Sequence, residues 1–400
     1  MPRRRGAVRI FAGRLVLALC LATACMVGAV LAVNYVIDAK LAHVSRVGLH
    51  TANTTGGPEN FLVVGSDTRA FTSGSRALQQ QFGNEAQNGG QRSDTMMVIR
   101  VDPGHSTTLV VSFPRDLWVQ VPGIGLSKIN SAYDAGPQRV IDMLKQDFNI
   151  RVNHFVQVNF ASFQGVVNAI GSVHVYVPYQ ARDTLTGLYQ PIAGCEAFDG
   201  ADALAYVRSR DLEYYSPRRQ TWLPADAVPD IDRIARQQQF IKTLAGVAVH
   251  DSLSNPLTAN TIVDRVLEHL TVDTSLSKSD VLNLVDAFRS INPNDTGHVE
   301  FATVPWIEGS TQDGQQVLYA RQPNADALLA HLGGAVNSTA VSVNGVAPLG
   351  TAGGSTTTTA PTSTTAPALP IQGSTPGAAP AARVEDQSLF GPPAPRTTPC

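Results

Sequence analysis

Lysine is scarce in this chain and cysteine nearly so. Of its 30 basic residues only Lys40, Lys128, Lys145, Lys242 and Lys278 are lysines, so almost all positive charge is guanidinium. The formal charge of −2 excludes the broad basic surface that non-specific nucleic-acid binding requires. Any anion site must therefore be local, and the planar Arg fork, which takes phosphate oxygens two at a time, suits one. A GC-rich coding sequence would give the same ratio of Arg to Lys. The four cysteines have no metal-ligand spacing. Cys20 and Cys25 fall in an apolar run, while Cys195 and Cys400 are far apart and would pair only in an oxidising compartment. No internal repeat is present.

The two ends differ from the middle. Residues 1–14 carry five arginines and no acid, and Leu15–Ile37 then runs uncharged. That length crosses a hydrocarbon core of roughly 30 Å as a helix and exceeds the usual apolar core of a cleaved signal peptide. The arginines place residues 1–14 in the cytoplasm and everything after Asp38 outside, as in a single-pass anchor. That orientation excludes ATP-dependent and DNA-binding roles. Residues 333–400 are rich in Thr, Ala, Pro and Gly, with too little apolar surface to offset the entropy of ordering, and read as a flexible tail. Residues 38–59 read as a linker and 60–332 as the globular domain.

Within that domain, NFLVVGSD, TMMVIRVD, STTLVVSF, HFVQVNF, VHVYVP and HVEFATVP read as strands, and DLWVQVPG as a shorter one. GPQRVIDMLKQDF, FQGVVNAIG, DGADALAYV, IDRIARQQQFIKTLAGVAVH, TIVDRVLEHL and SKSDVLNLVDAFRSI have helical spacing. The mixture predicts an α/β fold, a mixed central sheet flanked by helices in an α/β/α sandwich.

Several stretches end an element with charge. VVGSDTR offers Asp67, QRSDTMMV offers Arg92 and Asp94, and VVSFPRDLW offers Arg115 and Asp116. Strand ends are rigid yet reach a cleft. Asp67 and Asp94 together suit Mg²⁺, a hard ion that takes one or two carboxylates plus phosphate oxygens; equally, each could cap a turn. Arg115 could bind an anion or pair with Asp116. Arg233, Arg236 and Gln237 share one side of a helix at i, i+3 and i+4, where Arg233 could grip an anion with Gln237 or pair with Asp230 on the surface. Arg208 and Arg210 can meet one anion only if the helix ends near Val207, because residues two apart diverge on a helix and align on an extended chain. Their other reading is an exposed helix end.

FLVVGSDTR, RSDTMMVIRVD, SFPRDLWVQVPG with SKINSAYDAG, FDGADALAYVRSRD and DIDRIARQQQF, in that order from about Asn60 to Val249, resemble the LytR-CpsA-Psr family. The resemblance implies a phosphotransferase that takes a glycopolymer from a polyprenyl-diphosphate carrier and joins it by a phosphodiester to a muramic acid hydroxyl of peptidoglycan. It implies Mg²⁺, with Mn²⁺ as a substitute, and an apolar tunnel for the lipid. Motif by motif it assigns Asp67 and Asp94 to the metal, and Arg92, Arg115, Lys128, Arg208, Arg210, Arg233 and Gln237 to the diphosphate. Asp67, Asp94 and Arg115 form the catalytic set. Asp232 stands where many members have Gly. The stretch EYYSPRRQTWLPADAVP, with Arg218 and Arg219, is long and suits a lid or a glycan contact. With the Arg-rich composition, the resemblance points to an actinobacterial wall and to arabinogalactan. A lipid-diphosphate hydrolase and a non-catalytic wall-polymer scaffold are the rival readings; the expected partners are lipid-linked glycan, peptidoglycan and membrane, without nucleic acid.

Overall fold

Alternation along the strand at Glu59–Ser66 sends Leu62 and Val64 to one side and Phe61 to the other, and all three are buried. A strand buried on both faces belongs in the middle of a covered sheet. A computed structural model describes residues 44–53, 57–67, 93–102, 107–254, 270–277, 280, 283–284, 299–336, 390 and 392–396. The strands that build the main sheet are β1 (Ser45–Val47), β2 (Glu59–Ser66), β3 (Ser93–Asp102), β4 (Thr107–Phe113), β7 (His154–Asn159), β14 (Thr271–Asp273) and β15 (Val299–Thr303). Their order is β1-β14-β7-β2-β3-β4-β15. β2 pairs parallel with β7 and antiparallel with β3, and β4 pairs parallel with β15, so the sheet is mixed as expected.

One face carries Leu62, Val64, Met96, Val98, Val111 and Phe113, and is covered by helices α2 (Pro137–Phe148) and α6 (Asn324–Ala330). On the other face Met97, Val110 and Val299 meet Ile241 and Ala245 of the long helix α5 (Pro229–Ser254). These three layers are the α/β/α arrangement read from the sequence. A second apolar cluster joins α3 (Phe160–Ile170) and α4 (Gly200–Arg208) to the ribbon of β8 (Val173–Val177) and β11 (Gly194–Phe198), with Phe240 of α5 beneath. α3 and α4 cross closely: a Cβ on Gly200 would lie 2.5 Å from the Gln164 carbonyl oxygen, so no larger residue fits there. Gly171 closes α3 with φ 111°, a conformation that favours glycine.

The structure differs from the sequence reading at both margins. The segment 38–59, read as a linker, contributes the edge strand β1, and Val44 is buried. Within 333–400, read as a flexible tail, Val336 is buried and its N–H donates to Asp326. Farther on, Phe390 stacks on Tyr179 with ring centroids 4.9 Å apart, and the Ala394 carbonyl accepts from the Tyr176 hydroxyl. Cys195, opposite Tyr176 in the ribbon, is disulfide-bonded. DLWVQVPG forms β5 (Trp118–Val121), but it pairs with β6 (Gly125–Lys128) as a separate hairpin. The long stretch after α4 forms the hairpin of β12 (Glu213–Ser216) and β13 (Thr221–Pro224), which joins β9 (Ala181–Asp183) and β10 (Leu188–Gln190) in a four-stranded sheet. Arg218 and Arg219 are exposed in its turn. The anchor expected at 15–37, Arg92, and the helices expected over 261–270 and most of 277–291 lie outside the described residues. Among those described, no helix is long and apolar enough to cross a membrane.

Candidate functional site

Helix α5 opens where the sequence concentrates acid and guanidinium. The Asp232 carboxylate accepts from the backbone N–H of Ala227 (2.8 Å) and Val228 (2.9 Å), satisfying donors at the helix start. Its first turns then present Asp230, Arg233, Arg236 and Gln237, and the last three are buried. Arg233 is not the surface partner that one sequence reading allowed: its side chain is only 2% exposed. Its guanidinium lies 3.3 Å from Asp230, 4.0 Å from the Asp94 carboxylate, and donates to the Asp94 carbonyl at 3.1 Å. Burial lowers its pKa; Asp230 and Asp94 act against this, while Arg115 and Arg210 add to the lowering.

Arg115, fixed at the exit of β4 by Pro114, is the centre of the net. Its guanidinium reaches Asp94 at 3.2 Å, Asp116 at 3.4 Å and Asp230 at 3.1 Å. Burial alone would lower its pKa, but Asp230, Asp116 and Asp94 outweigh it and raise it. The surface pair with Asp116 is thus real but is one contact of three. Lys128, on β6, closes the other side with Nζ 2.7 Å from Asp116. Burial would raise the Asp116 pKa; Lys128 and Arg115 bring it below the ordinary value.

Helix α4 ends at Arg208, one residue past Val207, and Ser209 is extended with ψ 133°. Arg210 then reaches Asp230 at 4.0 Å, while Arg208 lies over the Phe160 ring at 4.1 Å. Two acids that the sequence reading did not select make this exit. The buried Asp183 carboxylate accepts from the Ser209 hydroxyl (2.6 Å) and the backbone N–H groups of Arg210, Asp211, Leu185 and Thr186. Asp226 holds Arg236 in a paired contact, one bond of 2.9 Å, and Arg236 also donates to the Ser209 carbonyl. Arg236 is therefore a positioning residue. Gln237 uses its amide donor on the Val207 carbonyl at 3.0 Å, so it fixes the end of α4 while its buried Oε1 has no hydrogen bond. This differs from the grip on an anion that the helical spacing suggested.

Asp67 follows β2 and is half-buried near Tyr133, whose hydroxyl pKa is raised by burial and also by Asp67. Asp94 lies on the adjacent strand, where a bulge at Gly65/Ser66 separates the two ends of the pairing. Thus Asp94, Arg115, Lys128, Arg210 and Arg233 join one net through Asp116 and Asp230, with Asp67 at the neighbouring strand end. An open cleft lined by Arg182, Arg210, Asp211, Glu213 and Asp226 adjoins it.

A family model described as the LytR_cpsA_psr family matches residues 37–333. The chain belongs to the LytR-CpsA-Psr family. It is 32% identical over 264 residues to "Probable cell wall biosynthesis protein LcpB" of Corynebacterium glutamicum, covering 63% of this chain and 58% of that protein. It is 29% identical over 198 residues to "Polyisoprenyl-teichoic acid--peptidoglycan teichoic acid transferase TagU" of Oceanobacillus iheyensis, covering 48% of this chain and 56% of that one. The match therefore spans less than two thirds of either relative. The solved "LytR-Csp2A-Psr enzyme from Actinomyces oris" has the same fold, with TM-score 0.57 and 24% identity over 73% of this chain and 97% of that one. In this LytR-CpsA-Psr chain, Asp232, the departure from the family pattern, has a local task as the acceptor for the α5 start.

The Asp183 carboxylate gives a direct test of how the YVRSR exit is held. Burial would raise its pKa, but the Ser209 hydroxyl and backbone donors lower it. A depressed folded-state value stabilises above about pH 4, and the contribution is lost as pH falls through that value. Asp183→Asn is expected to cost about 2 kcal/mol at neutral pH and to flatten the acid limb of stability, read by urea unfolding across pH. An unchanged acid limb would show that the carboxylate is not what holds Ser209 and Arg210.

Proposed function

We propose that this chain is a phosphotransferase that moves a glycopolymer from a polyprenyl-diphosphate carrier to a muramic acid hydroxyl of peptidoglycan. The observation that carries the reading is the convergence of Arg115, Lys128, Arg210 and Arg233 on Asp94, Asp116 and Asp230. A diphosphate head can replace those carboxylates as the partner of the cations. Arg115 and Arg233 hold its oxygens from the sheet side, Arg210 and Arg208 from the α4 exit. The acceptor hydroxyl attacks the sugar-proximal phosphorus, the new P–O bond forms, the bond to polyprenyl phosphate breaks, and the hydroxyl proton is lost. The guanidinium groups stabilise charge on the transferring and leaving oxygens. In this reading Asp94, with 36% of its side chain exposed, accepts that proton.

The oxygen donors Asp67 and Asp94, on adjacent strand ends, suit Mg²⁺ or Mn²⁺, and these two residues would hold the ion. When bound, it supplies charge neutralisation at the diphosphate. The Oceanobacillus relative, a polyisoprenyl-teichoic acid–peptidoglycan teichoic acid transferase, supports the reaction class. The Corynebacterium relative is named for cell wall biosynthesis, which fits a wall polymer; arabinogalactan is our reading of the family resemblance and the Arg-rich composition. In this reading the sugars lie in the cleft beside Arg210, where the lining residue Arg182 packs on Trp222. In the same reading Leu15–Ile37 anchors the chain in the cell membrane with its N-terminus in the cytoplasm and the domain outside.

The test is a transfer assay with the whole chain in detergent, a synthetic lipid-diphosphate disaccharide and peptidoglycan oligomers, with and without Mg²⁺. A metal-dependent glycan–peptidoglycan adduct is the expected result. Release of polyprenyl phosphate without adduct identifies a hydrolase instead. Binding without either product identifies a scaffold.

A further inference from the structure

At the opposite end of β2 from Asp67, roughly 25 Å away at the usual strand rise, lies a buried charged cluster outside the catalytic reading. Glu59 opens β2, His154 opens β7, and Asp280 sits in a helical turn beyond β14. The His154 imidazole is 1% exposed, and neither ring nitrogen has a hydrogen-bond partner. Nε2 lies 3.8 Å from Glu59 Oε2 and 3.5 Å from Asp280 Oδ2. The ligand atoms of all three residues fall within 4.8 Å of one another.

These separations are long for charge-assisted hydrogen bonds, which run at about 2.7–2.9 Å. They match the edges of a coordination shell instead: bonds near 2.1 Å in a tetrahedron put ligand atoms about 3.4 Å apart. The charge balance agrees. Asp273 lies on the other side of the ring, with Oδ2 3.5 Å from Nδ1. Three carboxylates thus surround one imidazole. Phe61 lies against the ring with centroids 4.9 Å apart, and Val44, Val272 and Leu276 complete an apolar wall. Unbalanced charge in such surroundings is costly. Arg46, which faces the same loop, donates to the backbone carbonyls of Asp273, Thr274 and Leu276.

Asp273 also orients the ring. Its carboxylate accepts from the backbone N–H of Phe155 at 2.9 Å and of Ser275 at 2.8 Å, and from the Ser275 hydroxyl. It lies beside Nδ1, while Nε2 faces Glu59 and Asp280. A carboxylate beside the second ring nitrogen is a common companion of a metal-ligating histidine. The Ser277 N–H, 2.7 Å from Asp280 Oδ2, fixes the direction of the third ligand.

We propose that Glu59, His154 and Asp280 form a structural site for a divalent transition ion of the zinc class, separate from the diphosphate site. One nitrogen and two carboxylate oxygens are a donor set such ions accept. The ion ties β2, β7 and the turn after β14 together and so fastens the β1–β14 edge to the centre of the sheet.

The test uses the whole tag-free chain in detergent, stripped with chelator, desalted and given Zn²⁺ alone. Metal content is read by mass spectrometry, thermal unfolding by circular dichroism, and geometry by the visible spectrum after Co²⁺ replacement. The expected result is a single equivalent per chain with a raised melting temperature and tetrahedral Co²⁺ bands. Glu59→Gln and His154→Gln lose that equivalent, Asp94→Asn keeps it, and Asp273→Asn weakens it about 10- to 100-fold. If His154→Gln does not fold, the near-isosteric Glu59→Gln carries the comparison. No zinc bound by the parent chain, or equal zinc in the parent and Glu59→Gln, overturns the proposal and leaves a buried imidazolium–carboxylate cluster.

Discussion

On the proposed function, Arg115→Ala is expected to lower polymer transfer about 100- to 1,000-fold, the loss usual when one group that stabilises transition-state charge is removed. The size follows from position. Among the described residues, Arg115 is the one side chain that contacts Asp94, Asp116 and Asp230 together. Those acids keep its guanidinium charged against the effect of burial. Removing it deletes the positive charge at the point where β3, β4 and α5 meet. Arg115→Lys recovers little, because a compact ammonium cannot face three directions as a planar fork does. The measurement is the initial rate of adduct formation at saturating lipid donor, with circular dichroism to establish that the fold persists. Transfer at the parental rate by Arg115→Ala would take this residue out of the reaction.

Arg236→Ala has the largest expected effect on stability, a loss of about 3–5 kcal/mol in urea unfolding, because it strands a buried carboxylate. Its guanidinium is fully buried, paired with Asp226 and bonded to the Ser209 carbonyl, beside Tyr206 and Tyr214. Burial is also the main reason the Asp226 pKa is raised; Arg236 lowers it, and Asp232 and Asp183 add to the rise. Replacing both members, Arg236→Met with Asp226→Leu, removes the unpaired charge and should recover most of the lost stability. It does not restore the bond to Ser209, so transfer stays low. Recovery of full transfer in the double variant would mean that Arg236 serves the fold alone and does not align the α4 exit.

The central strands and most helices were legible because their apolar periods are long and regular. β2, β3, β4, β7 and α2 fall where the patterns put them. β1 and β14 were not: each is three residues long, too short to carry a period, and exists because a neighbour supplies its hydrogen bonds. In EYYSPRRQTWLP the alternation was present, with Tyr214 and Ser216 buried and Tyr215 less so, but charge in the turn drew attention from it. In the candidate site, helical spacing put Arg233 and Arg236 on one side of α5. It could not tell that Arg233 faces Asp94 and Arg236 faces Asp226, since contacts distant in sequence decide that. Asp230 was read only as a surface partner, although it is the carboxylate Arg115, Arg210 and Arg233 share. Glu59, His154 and Asp280 come from three distant parts of the chain, and no spacing rule could join them.

That shared carboxylate has a kinetic meaning. Asp230 behaves as a tethered competitor, always present at the same effective concentration. An incoming anion must outbid it, which sets a threshold of charge for residence in the site. A lipid diphosphate, with charge on two phosphorus centres, clears that threshold more readily than the monophosphate left after transfer. On the proposed function, the guanidinium groups that the spent carrier leaves are those that Asp230 pairs with in the free chain. An acid that weakens substrate binding in this way would also favour release of the product.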